Sequence, residues 1–181
     1  MELWDLYDLD RKLTGETMVR GEKQPQDRYR IIVHICLFNS EGKMLIQKRQ
    51  PFKSGFSGMW DITVGGSAVS GDDSHSAAMR ELKEELGIDV DLKNQRPALT
   101  VNFKLGFDDM YVVTKDVDID SLSLQYEEVE KVKWASKEEI FAMLEEGVFI
   151  PYHRSLIDLL FYMKDHSGAH TMADPTLNTK K

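Results

Sequence analysis

The sequence predicts an α+β layered domain, and three observations carry that prediction. An apolar run, IIVHICLF (31–38), and the segment KMLIQKR (43–49) flank the turn NSEG, the pattern of two antiparallel strands. A 3.6-residue periodicity over 73–86 stops at Gly87, as expected of an amphipathic helix closed by a glycine cap. Strands and helices then mix without the regular alternation that a doubly wound parallel sheet requires.

Each element follows from local pattern. Residues 1–29 carry Trp4, Leu6, Tyr7 and Leu9 ahead of the turn-like LDRK and then KLTGETMVR, which reads as a hairpin extension feeding the main body. After the strands at 31–38 and 43–49, QPFKSGFSG reads as loop and MWDITVGG as a third strand ending in two glycines. On the helix over 73–86, Ala78, Leu82 and Leu86 form the apolar stripe. Two further strands are expected at DMYVVTK (109–115) and EVEKVKWA (128–135). Ser136 with Glu139 matches a capping box that opens a helix running to about Glu146. Pro151 is expected to start the last helix, with Leu156, Leu159, Leu160 and Met163 on the core. Residues 1–164 thus read as one domain, and residues 165–181, which lack periodicity, as a mobile tail.

Composition narrows the function. A length of 181 residues with 41% hydrophobic and 30% charged residues suits one globular domain. No apolar run approaches the roughly 18 residues that span a bilayer. The start, MELWDLYDLD, is acidic where a secretory signal is basic, so a cytoplasmic protein without a membrane partner is expected. The single cysteine, Cys36, permits no internal disulfide and sits in an apolar run that favours a buried side chain over a nucleophile. A net charge of −8 without a basic block argues against nucleic acid as a partner. An anionic small substrate remains open, given a metal ion or a few placed arginines and lysines.

Residues 80–88, RELKEELGI, bear on that condition. The spacings i, i+3 and i+4 gather Glu81, Glu84 and Glu85 within about 100° of helix arc. Each like-charge pair costs roughly 0.2–0.5 kcal/mol, which is tolerable but needs a reason if the acids converge. One reading is a solvated face on which Arg80 and Lys83 intersperse the acids. The other is a divalent cation with oxygen ligands among the carboxylates.

Extended backward, the stretch becomes GSAVSGDDSHSAAMRELKEELGI, residues 66–88, which resembles the signature of the Nudix hydrolases, Gx5Ex7REUxEExGU with U aliphatic. Gly66, Arg80, Glu81, Leu82, Glu84, Glu85, Gly87 and Ile88 fall in register, while Asp72 replaces the first glutamate, so its arm to Arg80 is expected to be lost or water-bridged. The resemblance implies an α/β/α sandwich with a mixed β-sheet and hydrolysis of a diphosphate linked to an organic group, a nucleoside diphosphate derivative above all. It implies magnesium or manganese held by Glu81, Glu84, Glu85 and the Gly65 carbonyl, with Arg80 bracing the carboxylates. Glu81 is one candidate general base. Glu128 is the first choice among later acids, ahead of Glu127, Asp108 and Asp109. Family members are often dimers, which keeps a homodimer open.

Within that superfamily, ELWDLYD and LFNSEGKMLIQKRQPFKSGFSGMWD resemble the branch containing type 1 isopentenyl-diphosphate isomerases. Arg49 and Lys53 match positions that hold the diphosphate there, and Arg30 is a third candidate substrate contact. The isomerases place a cysteine and histidines where this chain has Gly65, Ser67 and Arg30, so the groups that isomerisation needs are missing. A catalytically silent nucleotide-binding domain is the other alternative. Phe52, Phe56 and Trp60 are read as stacking groups or core, with core favoured for Trp60. His34 is read as a satisfied core histidine, and His75, Tyr152 and His153 are set aside.

Overall fold

Alternate side chains of the strand Arg30–Phe38 (β3) enter two different cores, and this sorts the molecule into layers. Ile31, Val33, Ile35 and Leu37 pack beneath the helix Ser74–Leu86 (α1), whose Ala77, Ala78, Leu82 and Leu86 are buried. Cys36 and Phe38 point the other way, into a core shared with the helices Lys137–Glu145 (α2) and Arg154–Met163 (α3). The result is an α/β/α sandwich around a mixed sheet. It is seen in a computed structural model that describes residues 1–168 and 170.

The sheet has two parts. In one, β3 pairs antiparallel with Val64–Ser67 (β6) and parallel with Gly106–Thr114 (β8), which carries the antiparallel edge strand Leu99–Phe103 (β7). In the other, Met44–Arg49 (β4) lies between Trp60–Asp61 (β5) and Val129–Ala135 (β9). The expected pairing of residues 43–49 with 31–38 is therefore confined to the turn, where Phe38 faces Met44, and beyond it the strands splay. Thr63 fills the gap. Its Oγ1 accepts from the Leu37 amide at 2.8 Å and donates to the Leu45 carbonyl at 2.5 Å, satisfying two backbone groups that the splay would otherwise orphan. For the same reason MWDITVGG is not one strand: it bends at Ile62 and Thr63 as it crosses from β4 to β3.

The expected N-terminal hairpin is formed by Leu3–Tyr7 (β1) and Leu13–Val19 (β2). Arg11 sits in its turn with a left-handed backbone, φ 62°, and its guanidinium forks onto Asp109, with 3.0 Å from Nη1 to Oδ1. Asp109 is fully buried and also accepts from Ser74 at 2.5 Å and Thr100 at 2.7 Å. Asp5 accepts from Ser70 and from the Gly71 amide, tying the hairpin to the loop that leads into α1.

Helix boundaries agree with their caps. Asp73 and Ser76 form a capping box for α1, Gly87 closes it at φ 73°, and Ser136 with Glu139 opens α2 as expected. The last helix differs. It begins at Arg154 rather than Pro151, and it buries Ile157, Leu160 and Phe161, leaving Leu159 and Met163 partly exposed. Among the described residues no helix is long and apolar enough to cross a membrane. Most of the expected tail lies outside the described residues.

Candidate active site

Helix α1 and the two glycines of β6 build an acidic cavity of about 230 Å3. Gly65, Gly66, Arg80, Glu81, Glu84, Glu85 and Glu128 all line it. The structure thus brings together every expected metal-binding position and the first-choice later acid. Gly66 leaves room for the Glu81 carboxyl group against the strand, where a Cβ would overlap it and force that side chain to shift.

Glu85 is 4% exposed, and its Oε2 accepts from Gln47 Nε2 at 2.9 Å. Burial pushes its pKa up to about 8; the Gln47 bond opposes the rise, while Glu81, Glu128 and Asp61 add to it. Gln47 Oε1 beside it is buried without a hydrogen-bond partner among the described residues. Burial likewise raises the Glu81 carboxyl, against the pull of Arg80.

Arg80 holds the rest of the acids. Its Nη1 donates to Glu81 at 3.0 Å and Glu84 at 3.1 Å, its Nε to Asp72 at 3.0 Å, and its Nη2 to the Ser67 carbonyl at 3.1 Å. The expectation that Asp72 would lose its arm to Arg80 is corrected: the shorter side chain reaches directly. Burial works against the guanidinium charge, yet Glu81 and Asp72 keep its pKa above the ordinary arginine value.

Braced this way, the carboxylates do not converge on one point. Among the described residues no three acidic, histidine or cysteine side chains stand arranged to hold an ion. The donor set nonetheless suits a hard divalent cation. Carboxylates and glycine carbonyls are the ligands such ions take, and a cation would offset the burial and the neighbouring acids that raise Glu85. Glu81 and Glu84 would have to turn from Arg80 to bind it.

The other expected site residues are placed differently. Lys53 is ion-paired with Glu128, and Gln50 tethers the same loop through its amide to the Glu128 carbonyl at 3.0 Å. Arg49 donates from Nε to the Gly55 carbonyl at 3.1 Å, and neither it, Lys53 nor Arg30 lines the acidic cavity. Neither Asp109 nor Asp108 lines the acidic cavity: the first is bonded beneath the hairpin and the second lies 2.7 Å from His34 Nδ1. His34 is partly buried and hydrogen-bonded, so it is satisfied, though its ring lies beneath Gly65 rather than in apolar core. Trp60 packs on the core as expected, whereas Phe52 and Phe56 are exposed. Sequence reasoning missed Gln47, found only by its strand register opposite α1, and Glu2 and Arg20, which the hairpin carries to the cavity rim from far along the chain.

Comparison with known proteins points to one family. A Nudix hydrolase of Listeria innocua described as uncharacterized is 44% identical over 170 residues, 94% of this chain and 99% of its own length. Nudix hydrolase 3 of Arabidopsis thaliana is 31% identical over 166 residues, 83% of this chain but 22% of the plant protein. Among solved structures, a protein from Deinococcus radiodurans superposes with a TM-score of 0.70 at 24% identity, covering 90% of this chain and 99% of that one. A MutT protein from Methanosarcina mazei does so with a TM-score of 0.62 at 22% identity, over 81% of this chain and all of that one, and both likenesses speak to the fold. The NUDIX domain description matches residues 28–159, and with the box residues gathered in one acidic cavity the chain belongs to the Nudix family.

Proposed function

We propose that the chain hydrolyses a diphosphate linkage in an organic diphosphate, a nucleoside diphosphate derivative above all, by attack of water on phosphorus with magnesium or manganese bound. The observation that carries this reading is the acidic cavity: Glu85, a buried carboxyl raised to about 8 by burial, stands with Glu81, Glu84 and Glu128 against two glycines, a set of oxygen donors that a divalent cation would complete. Glu81, Glu84, Glu85 and the Gly65 carbonyl would hold the metal, which when bound neutralises phosphate oxygens and activates water.

The chain's own residues do the rest. Arg80 keeps the glutamates gathered, and Gly66 lets Glu81 lie against the strand. Glu81 or Glu128, both lining the cavity, would take the proton from water. Lys53 sits on Glu128, so a diphosphate arriving at this lysine competes for it and frees the carboxylate.

A catalytically silent binding domain is the second reading, supported by the engagement of Glu81 and Glu84 with Arg80. Isomerisation is disfavoured by residue type, because Gly65, Ser67 and Arg30 stand where the thiol and imidazoles would be needed. The test is a panel of nucleoside diphosphates, sugar nucleotides, dinucleoside polyphosphates and prenyl diphosphates, assayed with and without magnesium by chromatography for release of the phosphomonoester products, with inorganic phosphate as the second product where the diphosphate is terminal. Metal-dependent release is expected, reduced about 100-fold or more in Glu85→Gln with unchanged circular dichroism. Ligand binding without turnover under either metal would give the second reading precedence.

A further inference from the structure

A second cavity, of about 640 Å3, opens on the other side of the hairpin, between residues 21–30 and the turn at Lys104 and Leu105. Its charge is reversed: Lys23, Arg28, Arg30 and Lys104 line it against Glu22 and Asp27. Arg28 is neutralised by Glu16. Arg30 has no such partner. Its guanidinium carbon lies 4.3 Å from the centre of the Trp4 ring and 5.9 Å from that of Phe103, and its Nε is buried without a hydrogen-bond partner among the described residues. Burial and the neighbouring cation Arg20 both disfavour its charge.

A half-buried cation without a counterion is costly, and aromatic stacking offsets only part of that cost. The chain has 31 acidic residues and a net charge of −8, yet none of the described acids pairs with Arg30, so its guanidinium is open to an anionic ligand. The two cavities adjoin through the hairpin. Glu2 and Arg20 stand on the acidic side and are ion-paired at 2.9 Å, while Trp4, which donates to Glu2 at 2.8 Å, stands on the basic side.

We propose that this cavity receives the far end of the substrate, and that the organic group there carries a phosphate monoester bound by Arg30, with Lys23 and Lys104 at the rim. The inference rests on the diphosphate hydrolase reading above. With a ring on its face, the guanidinium offers its hydrogen bonds in its own plane, which suits a bidentate oxyanion rather than another stacked ring. With Arg28 paired to Glu16, the three cations Lys23, Arg30 and Lys104 face two acids, and a doubly charged phosphate monoester gains more from that surplus than a singly charged carboxylate does.

The test compares diphosphates that differ by one remote phosphate, NADH against NADPH and dephospho-coenzyme A against coenzyme A, using the full chain with magnesium. In at least one pair kcat/KM is expected to be about tenfold or more higher for the phosphorylated member, mainly through KM. That ratio falls to near one in Arg30→Met, stays partly in Arg30→Lys and drops several-fold in Lys104→Met. Equal kcat/KM in both pairs, or a ratio that survives Arg30→Met, overturns the proposal. If no diphosphate is turned over, the hydrolase reading fails by itself, and the anion site is read separately by tryptophan fluorescence of the metal-free protein titrated with inorganic phosphate. A saturable change that Arg30→Met abolishes supports the site, and no saturable change overturns it.

Discussion

Asp61 shows how one buried acid sets a pH response. Its carboxylate accepts from the Tyr152 hydroxyl at 2.9 Å and from the Ile62 amide at 2.8 Å, with His34 and Arg49 the cations acting on it. Burial raises its pKa and outweighs those helpers. Between the ordinary carboxylate value and the raised folded one, the folded chain therefore keeps a proton that the unfolded chain has released. That stability is present at low pH and lost as pH rises through the folded value. Asp61→Asn, whose amide oxygen can accept both bonds, is expected to melt with the wild type in acid and above it at neutral pH. Thermal melts across pH 3 to 8 (approximate range) measure the divergence, and parallel curves would remove Asp61 as its source.

At the scale of elements, the hairpin is held by Arg11 on a carboxylate that is fully buried. Arg11→Met strips Asp109 of its counter-charge while Ser74 and Thr100 stay in place, at an expected cost of about 2–4 kcal/mol. Hydrogen exchange should show β1 and β2 losing protection before β3 does. Such long-range clasps are what a linear reading misses. The helices announced themselves through caps that lie within four residues, as Asp73, Gly87 and Ser136 show, and the box glutamates were legible because their spacing is local. Strand β7 was not, since Leu99–Phe103 exposes three of its five residues and carries little apolar signal. Nor could spacing foretell that α3 would start at Arg154, or that Lys53 would be joined to Glu128 across 75 positions.

For the molecule as a whole, the seam between the two parts of the sheet concentrates at Thr63. Thr63→Val keeps the shape but leaves the Leu37 amide and the Leu45 carbonyl without partners, at an expected cost of about 2–4 kcal/mol in urea unfolding. A loss below about 0.5 kcal/mol would show that water replaces the hydroxyl. Sheet order belongs to this scale, and it was the least legible part: the hairpin rule pairs β3 with β4, whereas burial on both faces hands β3 to β6 and β8 instead. Arg80 carries a consequence for handling the protein. Because one internal guanidinium already gathers Asp72, Glu81 and Glu84, removing the metal proposed for α1 would exchange one counter-charge for another and leave the backbone alone. Stripping with a chelator should then be a reversible operation, with activity returning at the speed of ion diffusion rather than of refolding.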